Sequence, residues 1–468
     1  MTQAVLRNST LEDLDKRSFL HPFTSLTDHA RLGPWIVESA KDVFIRDSLG
    51  REYVDGVSGL ACVNVGYGRD EIAQAMADQV RKLSFFPSFW STSHEPGIRL
   101  ADRLVDMAPG KAGKVLFGTS GSDANDSQVK IAWFYNNILG RPKKKKIIAR
   151  HRSYHGTTIA AGSLTGQAGV HRGFDLPLPQ MLHTREPDYT KYAEPGMSER
   201  VFSKKMADEL DALIQKEGPD TVAAFIAEPV GGSASGVLVP TEGYWDEITR
   251  VLKKHDVLLI ADEVVSGFGR TGKMFASNHY GLEPDLLTLS KGLTSGYAPM
   301  SACVISQRVM DVLSSASAEY GAFGHGYTNT AHPVCAAAAL ANLDIIEREG
   351  LVERASETGA YMLARLREIF SGGAHIRAIR GIGMIMGVEF DEPAPGVDLN
   401  DAIPMQILRQ GYKDGIIIRA TAGNHTITLS PPLTIAKKEV DYLIERFARG
   451  YELVTAAPAK QKRASLTS

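Results

Sequence analysis

Cysteine is scarce, with three residues (Cys62, Cys303 and Cys335) in a chain of 468. Odd in number and far apart, they give neither a disulfide framework nor the paired spacing of a metal site, and no metal ligand is assigned. No uninterrupted apolar run reaches the roughly 20 residues that a membrane-spanning helix needs. The N-terminal MTQAVLRNSTLEDLDKRS lacks the basic-then-apolar order of a secretory signal. Neither charge is in excess: 52 Lys+Arg against 54 Asp+Glu leave a formal net charge of −2. That balance argues against a nucleic-acid or anionic-membrane partner. There is no GxxxxGK[ST] loop, no early GxGxxG and no internal repeat. These absences together predict a cytoplasmic protein.

What is present is an ordinary globular composition, 43% hydrophobic and 23% charged, on a chain long enough for two or three sub-domains. KVLFGTS, KKIIARHRS, TVAAFIAEP, VLLIADEV, LLTLS and SACVIS read as strands. GSDANDSQVKIAWFYNNIL, KKMADELDALIQKEG and GYWDEITRVLKKHD read as the helices among them. Continuous apolar strands separated by helices predict an α/β fold around a mostly parallel sheet covered on both faces. Two further helices lead to IRAIRGIGMIMGVEF, GIIIRA and TITLSPPL, which predict a smaller α/β domain over 336–455 behind a large domain over 71–335. The hairpin-like VFIRDSLGREYVDGVSG, in an N-terminal segment 1–70, is expected to pack on the smaller domain, and 456–468 has the composition of a disordered tail. KKKK at 143–146 reads as a solvated connection.

Ligands of open α/β sheets gather past the carboxyl ends of the strands. Four such ends carry polar or reactive groups: Ser120-Gly121-Ser122, Glu228, Asp262-Glu263 and Lys291. In FGTSGSDAND a helix starting near Gly121 or Ser122 offers free N–H groups to a phosphate; a capping serine with nothing bound reads as well. Asp262 ends the very apolar VLLIA, where a carboxylate needs a cation or donors. It is either a salt bridge or cap, or the counter-ion of a protonated heterocyclic nitrogen. Lys291 closes LLTLS 29 residues later, one strand–helix–strand step away. A lysine in a dry site loses its proton and attacks a carbonyl to form a Schiff base; on a solvated strand end it is a surface charge. Tyr154, beside His155 in RHRSYHGTT, stacks on a planar ring or packs in the core. Phosphate cradle, ring-nitrogen carboxylate, stacking aromatic and amine nucleophile together describe a pyridoxal 5′-phosphate site. Gly292 is expected to leave room beside the lysine adduct.

These stretches, with SYHG, FIAEPVGG, GHGYTNTAHPV and the whole run from LLIADEVV to SGYAPM, resemble the class III, fold-type I, pyridoxal-phosphate-dependent aminotransferases. The likeness spans about residues 20–450 and is most specific from Asp262 to Lys291. GLACVNVGYGRDEI, FYNNILGRPKKKKII and IIIRATAGNHTITLSPPL are similar to the ω-amino acid:pyruvate and amine:pyruvate transaminase branch. The resemblance implies a seven-stranded large-domain sheet, a smaller α/β domain and a homodimer with shared active sites, assembly to a tetramer being left open. It implies that Lys291 forms the aldimine and shuttles a proton, that Asp262 pairs with the ring nitrogen, and that Val264 and Tyr154 cover the two ring faces. Gly121 and Ser122 would hold the phosphate with Ser120 nearby, Thr328 would reach the phosphate of the neighbouring subunit, and Glu228 matches a carboxylate near the cofactor.

Substrate selection departs from relatives in three places. Ser233 stands where ornithine- and GABA-type members keep a glutamate that pairs with arginine. Arg419 matches a mobile arginine that binds an α-carboxylate, a surface arginine being the other reading. Ala61 replaces a large aromatic and is expected to widen the pocket, leaving Phe86 and Phe89, with Tyr154, as its aromatic wall. Gly231 also stands where glutamine is usual. The activity implied is transfer of an amino group from an ω-amino acid or primary amine to pyruvate by ping-pong exchange. The alternatives are an aminomutase, racemase or decarboxylase on the same cofactor, or a non-enzymatic phosphate- or nucleotide-binding α/β protein.

Overall fold

Three β-sheets organise the chain in the computed structural model, which describes residues 10–394, 398–421, 423 and 425–456. Of the expected tail, 457–468 lies outside the described residues. Near the N-terminus, β1 (Val37–Lys41), β2 (Phe44–Asp47) and β3 (Glu52–Asp55) form an antiparallel meander. The central sheet contains β4 (Ala112–Gly118), β5 (Lys146–Arg150), β6 (Met181–Thr184), β7 (Val222–Ala227), β8 (Leu258–Asp262), β9 (Leu286–Leu289) and β10 (Ser301–Ser306). Its order is β4-β10-β9-β8-β7-β5-β6, parallel throughout except for β10. The sheet is therefore mostly parallel and seven-stranded, as the sequence predicts.

The central strands β7, β8 and β9 are buried at every position, VAAFIA, LLIAD and LLTL, so both faces must be covered. On one face, Phe202 and Leu210 of the helix Glu199–Glu217 and Ile248 and Val251 of the helix Tyr244–Lys254 pack on Phe225 and Leu259. On the other, Val129 and Ala132 of the helix Gly121–Ile138 meet Ile226 and Ile260. Burying each such large side chain contributes about 1.5–3 kcal/mol. Among the described residues no helix is long and apolar enough to cross a membrane.

Toward the C-terminus, IRAIRGIGMIMGVEF folds back on itself as β11 (Ile376–Ile382) and β12 (Ile385–Phe390). GIIIRA, which reads as one strand, is divided between two sheets. Its β13 (Ile416–Ile417) pairs in parallel with β3, whereas β14 (Arg419–Thr421) pairs with β15 (Thr426–Leu429) beside β12. The N-terminal meander and the C-terminal part thus share backbone hydrogen bonds.

Two further details differ from the sequence reading. The lysine run is only partly solvated: Lys144 is buried, and its Nζ donates to the carbonyls of His255 (3.0 Å) and Asp256 (2.6 Å). Those acceptors lie just past the end of the helix Tyr244–Lys254, where a cation is favoured. The crossover from β8 to β9 contains no α-helix, only a 3₁₀ turn at Ala276–His279. Buried groups hold it instead. The Glu263 carboxylate accepts from Ser266 Oγ (2.5 Å), Ala276 N (3.0 Å) and Ser277 N (2.6 Å), and burial pushes its pKa upward. The fully buried Arg270 guanidinium donates to the carbonyls of Met384 and Pro431 through Nη1, and to Ser58 Oγ and Asn64 Oδ1 through Nη2. Burial draws its pKa down to about 10.

Arg270 therefore ties the crossover to both ends of the chain. Arg270→Ala strands four buried acceptors and should destabilise the fold by about 3 kcal/mol or more. Arg270→Lys, whose single ammonium cannot reach all four, should fall between. Thermal midpoints of the two variants check the order.

Candidate active site

The four polar strand ends lie along one edge of the central sheet. β7, β8 and β9 run parallel, and β4 runs with them because it is antiparallel to the antiparallel β10. Asp262 is the last residue of β8 and pairs with Thr288 in β9; Lys291 follows β9, and Glu228 directly follows β7.

Asp262 is buried without a lysine or arginine partner among the described residues. Its Oδ2 instead takes a hydrogen bond from the Asn125 amide (2.8 Å) and sits 2.8 Å from His155 Nδ1. The Asn125 amide also donates to the His155 carbonyl (2.7 Å), and Thr288 Oγ1 donates to Asn125 Oδ1 (2.8 Å). Oδ1 accepts only from Val264 N (3.1 Å) among the described residues, leaving it capacity for a further donor. His155 is fixed through its own N–H to Thr165 Oγ1 (2.9 Å). The sequence reading gave no part to Asn125, His155 or Thr288. Asn125 was within reach of it, since it lies four residues past Gly121 and so one helical turn along the same face. His155 stands in the quoted SYHG.

Ser120 is the N-cap of the helix Gly121–Ile138, its Oγ accepting from Asp123 N in a reciprocal capping box. That leaves the N–H groups of Gly121 and Ser122 without a partner among the described residues. Ser122 Oγ accepts from Thr157 N (3.2 Å). Two glycines keep the concavity open: a Cβ on Gly156 would lie 2.5 Å from Ser122 Oγ, and one on Gly121 would lie 3.0 Å from Val264 Cγ2. Tyr154 is half-buried next to this floor, and burial raises its phenol pKa.

Lys291 occupies the left-handed region at φ 44° as the first residue of a 3₁₀ turn. Burial pulls the pKa of its ammonium down; Cys62 opposes that, Arg419 pushes the same way, and Asp262 and Glu228 oppose it. Three of the proposed residues, Asp262, Glu228 and Arg419, therefore share one electrostatic neighbourhood with the amine. Gly292 has another purpose than the one expected. Its Cβ would lie 2.6 Å from Asn64 Nδ2 and 3.0 Å from Phe268 Cβ, so the missing side chain admits the packing beneath the turn. Glu228 is buried with Arg150, whose Nη2 donates to its carbonyl (2.6 Å), and it reaches the group through Tyr154 N (3.4 Å to Oε1).

Arg419 is exposed at the seam where the chain passes from β13 to β14, close enough to Lys291 and Tyr154 for its charge to act on both. Two residues on, Thr421 Oγ1 donates to the Ser233 carbonyl (2.7 Å), tying this strand to the loop after β7. Gly231 is required in that loop, since a Cβ there would lie 2.3 Å from Ser235 Oγ. Ala61 is buried at φ 57°, and its neighbour Leu60 is the exposed one. Phe86, Phe89 and Thr328 are not joined to the central group. Phe86 and Thr328 are exposed, and Phe89 packs against Gly326, beside which Ser88 Oγ donates to the Thr330 carbonyl.

A family model described as Aminotransferase class-III matches residues 27–450. The diaminobutyrate–2-oxoglutarate transaminase of Halomonas elongata is 45% identical over 458 residues, 96% of this chain and 97% of that protein. The mitochondrial gamma aminobutyrate transaminase 1 of Solanum lycopersicum is 42% identical over 460 residues, covering 96% and 88%. A solved omega transaminase from Pseudomonas jessenii, in complex with PMP, superposes with a TM-score of 0.92 at 40% identity, over 96% of this chain and 99% of that one. A pyridoxal phosphate-type group fits the residues present: a carboxylate with an open oxygen, two free N–H groups at a helix start, and a cradle that Cβ atoms on Gly121 and Gly156 would fill.

Because the neutral amine is the nucleophile, a lowered pKa moves the reactivity of Lys291 to lower pH. In cofactor-stripped protein, reductive labelling with a small aldehyde should rise with pH at Lys291 and level off earlier than at the exposed Lys143. Peptide mapping across a pH series reads both profiles; coincident curves would contradict the depressed pKa.

Proposed function

This chain belongs to the class-III aminotransferases, and from that premise we propose that it moves an amino group from an ω-amino acid or primary amine to pyruvate or a similar 2-oxo acid. Pyridoxal 5′-phosphate, the cofactor of the class, supplies an electron sink for the carbanion left when the substrate carbon loses its proton. The protein's own residues do the rest. The Gly121 and Ser122 N–H groups would hold the phosphate at the helix start, and the Asp262 carboxylate would hold the ring nitrogen. Asn125 and His155 act as positioning residues that aim that carboxylate. Val264 and Tyr154 would cover the ring. Lys291 Nζ, its charged form disfavoured by burial, holds the cofactor and then takes the proton from the amine-bearing carbon. Thr328, exposed and without a contact to its own chain's cradle among the described residues, serves the site of a second copy in a homodimer.

The observation that carries the substrate reading is Arg419, a residue at a sheet seam whose guanidinium has no side-chain partner among the described residues, has its pKa drawn down by burial, and has Tyr154 and Lys291 in its field. Ser233 offers no carboxylate to hold it. An unengaged guanidinium can bind the carboxylate of an oxo acid in one half-reaction and leave room for an apolar amine in the other. Two relatives at more than 40% identity bear names that specify diaminobutyrate with 2-oxoglutarate, and gamma-aminobutyrate. They favour a second reading, in which the acceptor is 2-oxoglutarate; its distal carboxylate then needs a second cation.

Amine added alone should convert the yellow holoenzyme to the pyridoxamine form and release a carbonyl product, which an aminomutase or racemase would not do. Acceptor turnover should favour pyruvate over 2-oxoglutarate. Arg419→Ala should raise KM for pyruvate tenfold or more, the worth of one charge-assisted bidentate contact, while KM for a carboxylate-free amine stays within about threefold. Faster turnover with 2-oxoglutarate would hand the acceptor to the second reading.

Ala61 is the basis for expecting tolerance of bulky amines. Ala61→Trp should depress kcat/KM for aryl-alkyl amines more than for small ones, and equal losses would count against a role in the pocket.

A further inference from the structure

The N-terminal arm contains two short helices, Leu11–Ser18 and Leu26–Leu32, neither of which buries a residue. Helices of eight and seven residues are marginal in water without a packed face. The arm's apolar side chains, among them Leu20 and Phe23, point outward. What joins the helices is polar. Asp15 comes from the first helix, His21 from the connector and His29 from the second.

The three residues are half-buried, and their ligand atoms all lie within 4.8 Å of one another. His21 Nε2 is 3.0 and 2.9 Å from the two Asp15 oxygens, and His29 Nε2 is 2.9 Å from Oδ1. The imidazole centroids are 4.5 Å apart, tilted by 43°. His29 Nε2 is buried, yet it forms no hydrogen bond among the described residues. At 2.9 Å the distance suffices, so the bond fails on direction. That nitrogen is left unused beside the same carboxylate that His21 Nε2 approaches.

We propose that Asp15, His21 and His29 bind one divalent transition-metal ion of the zinc class. Two imidazoles and a carboxylate are the donors such ions prefer, whereas magnesium and calcium favour oxygen alone. Each imidazole binds through Nε2 with its proton on Nδ1, and water completes the sphere. A tetrahedral ion with bonds of about 2.0–2.2 Å holds its donors roughly 3.4 Å apart, so the cluster opens slightly as the ion enters. The spacing D-x5-H-x7-H spans two helices and a loop, which is why no metal pattern stood out in the sequence. The ion clips both helices and their connector into one unit.

The test uses the full-length holoenzyme, freed of adventitious metal by a chelator and titrated with cobalt(II), then zinc(II). One cobalt per chain with the visible bands of a low-coordinate site, displaced by zinc, is expected. Asp15→Ala and His29→Ala should each weaken cobalt binding tenfold or more, with the cofactor absorbance retained to show that the variants are folded. Zinc should slow tryptic cleavage after Arg17 and Arg31 in the parent and not in the variants; His21→Gln repeats the comparison should either variant lose its cofactor. Absence of a saturable cobalt spectrum, or one that survives in the variants, overturns the proposal.

Discussion

A carboxylate at the end of a strand buried on both faces has to be given donors, and the donors that Asp262 receives set the layout of the site. They are a neutral amide and an imidazole rather than a fixed cation. Asn125 belongs to the helix whose first two N–H groups are free, and His155 stands between Tyr154 and Gly156. The anion that would face a ring nitrogen, the amides that would face a phosphate and the aromatic that would face a ring are thereby held by one set of hydrogen bonds. A shift in any one of them moves the others, which is the kind of preorganisation that positioning depends on.

Around Lys291 the charges are opposed rather than uniform. Burial and the Arg419 guanidinium disfavour its ammonium, while Cys62, Asp262 and Glu228 favour it. Arg419 is the exposed member of that set, carried where consecutive short strands enter different sheets. A guanidinium so placed is the charge most easily redirected by a ligand, and redirecting it changes the field at the amine. An anion bound at Arg419 would therefore alter the basicity of Lys291.

Much of this was readable in the sequence, for identifiable reasons. Strands such as VAAFIA and LLIAD are apolar at every position, so a doubly covered sheet leaves few other assignments, and a carboxylate or lysine at such a strand's end stands out. What escaped was decided by contacts distant in the chain. GIIIRA gives no hint that its isoleucines enter one sheet and its Arg419-Ala420 another, because the run is continuous and either sheet could take it. The β8–β9 crossover read as helical because a loop that long needs its polar groups satisfied, and the groups that satisfy it, Glu263 and Arg270, look like ordinary charges. Gly292 also has a packing neighbour that the sequence did not suggest, since Asn64 lies 228 residues away. Phe86 and Thr328 are exposed and Phe89 packs against Gly326, so among the described residues none of the three is tied to the group around Asp262.

The buried Arg270 has a consequence for how the protein is made. Its four acceptors are supplied by residues 58, 64, 384 and 431. The last strand of the central sheet has been synthesised by residue 306, so that sheet can assemble while the chain is still on the ribosome. The guanidinium has to stay in water for more than a hundred residues longer, until the final segment emerges and lets it desolvate.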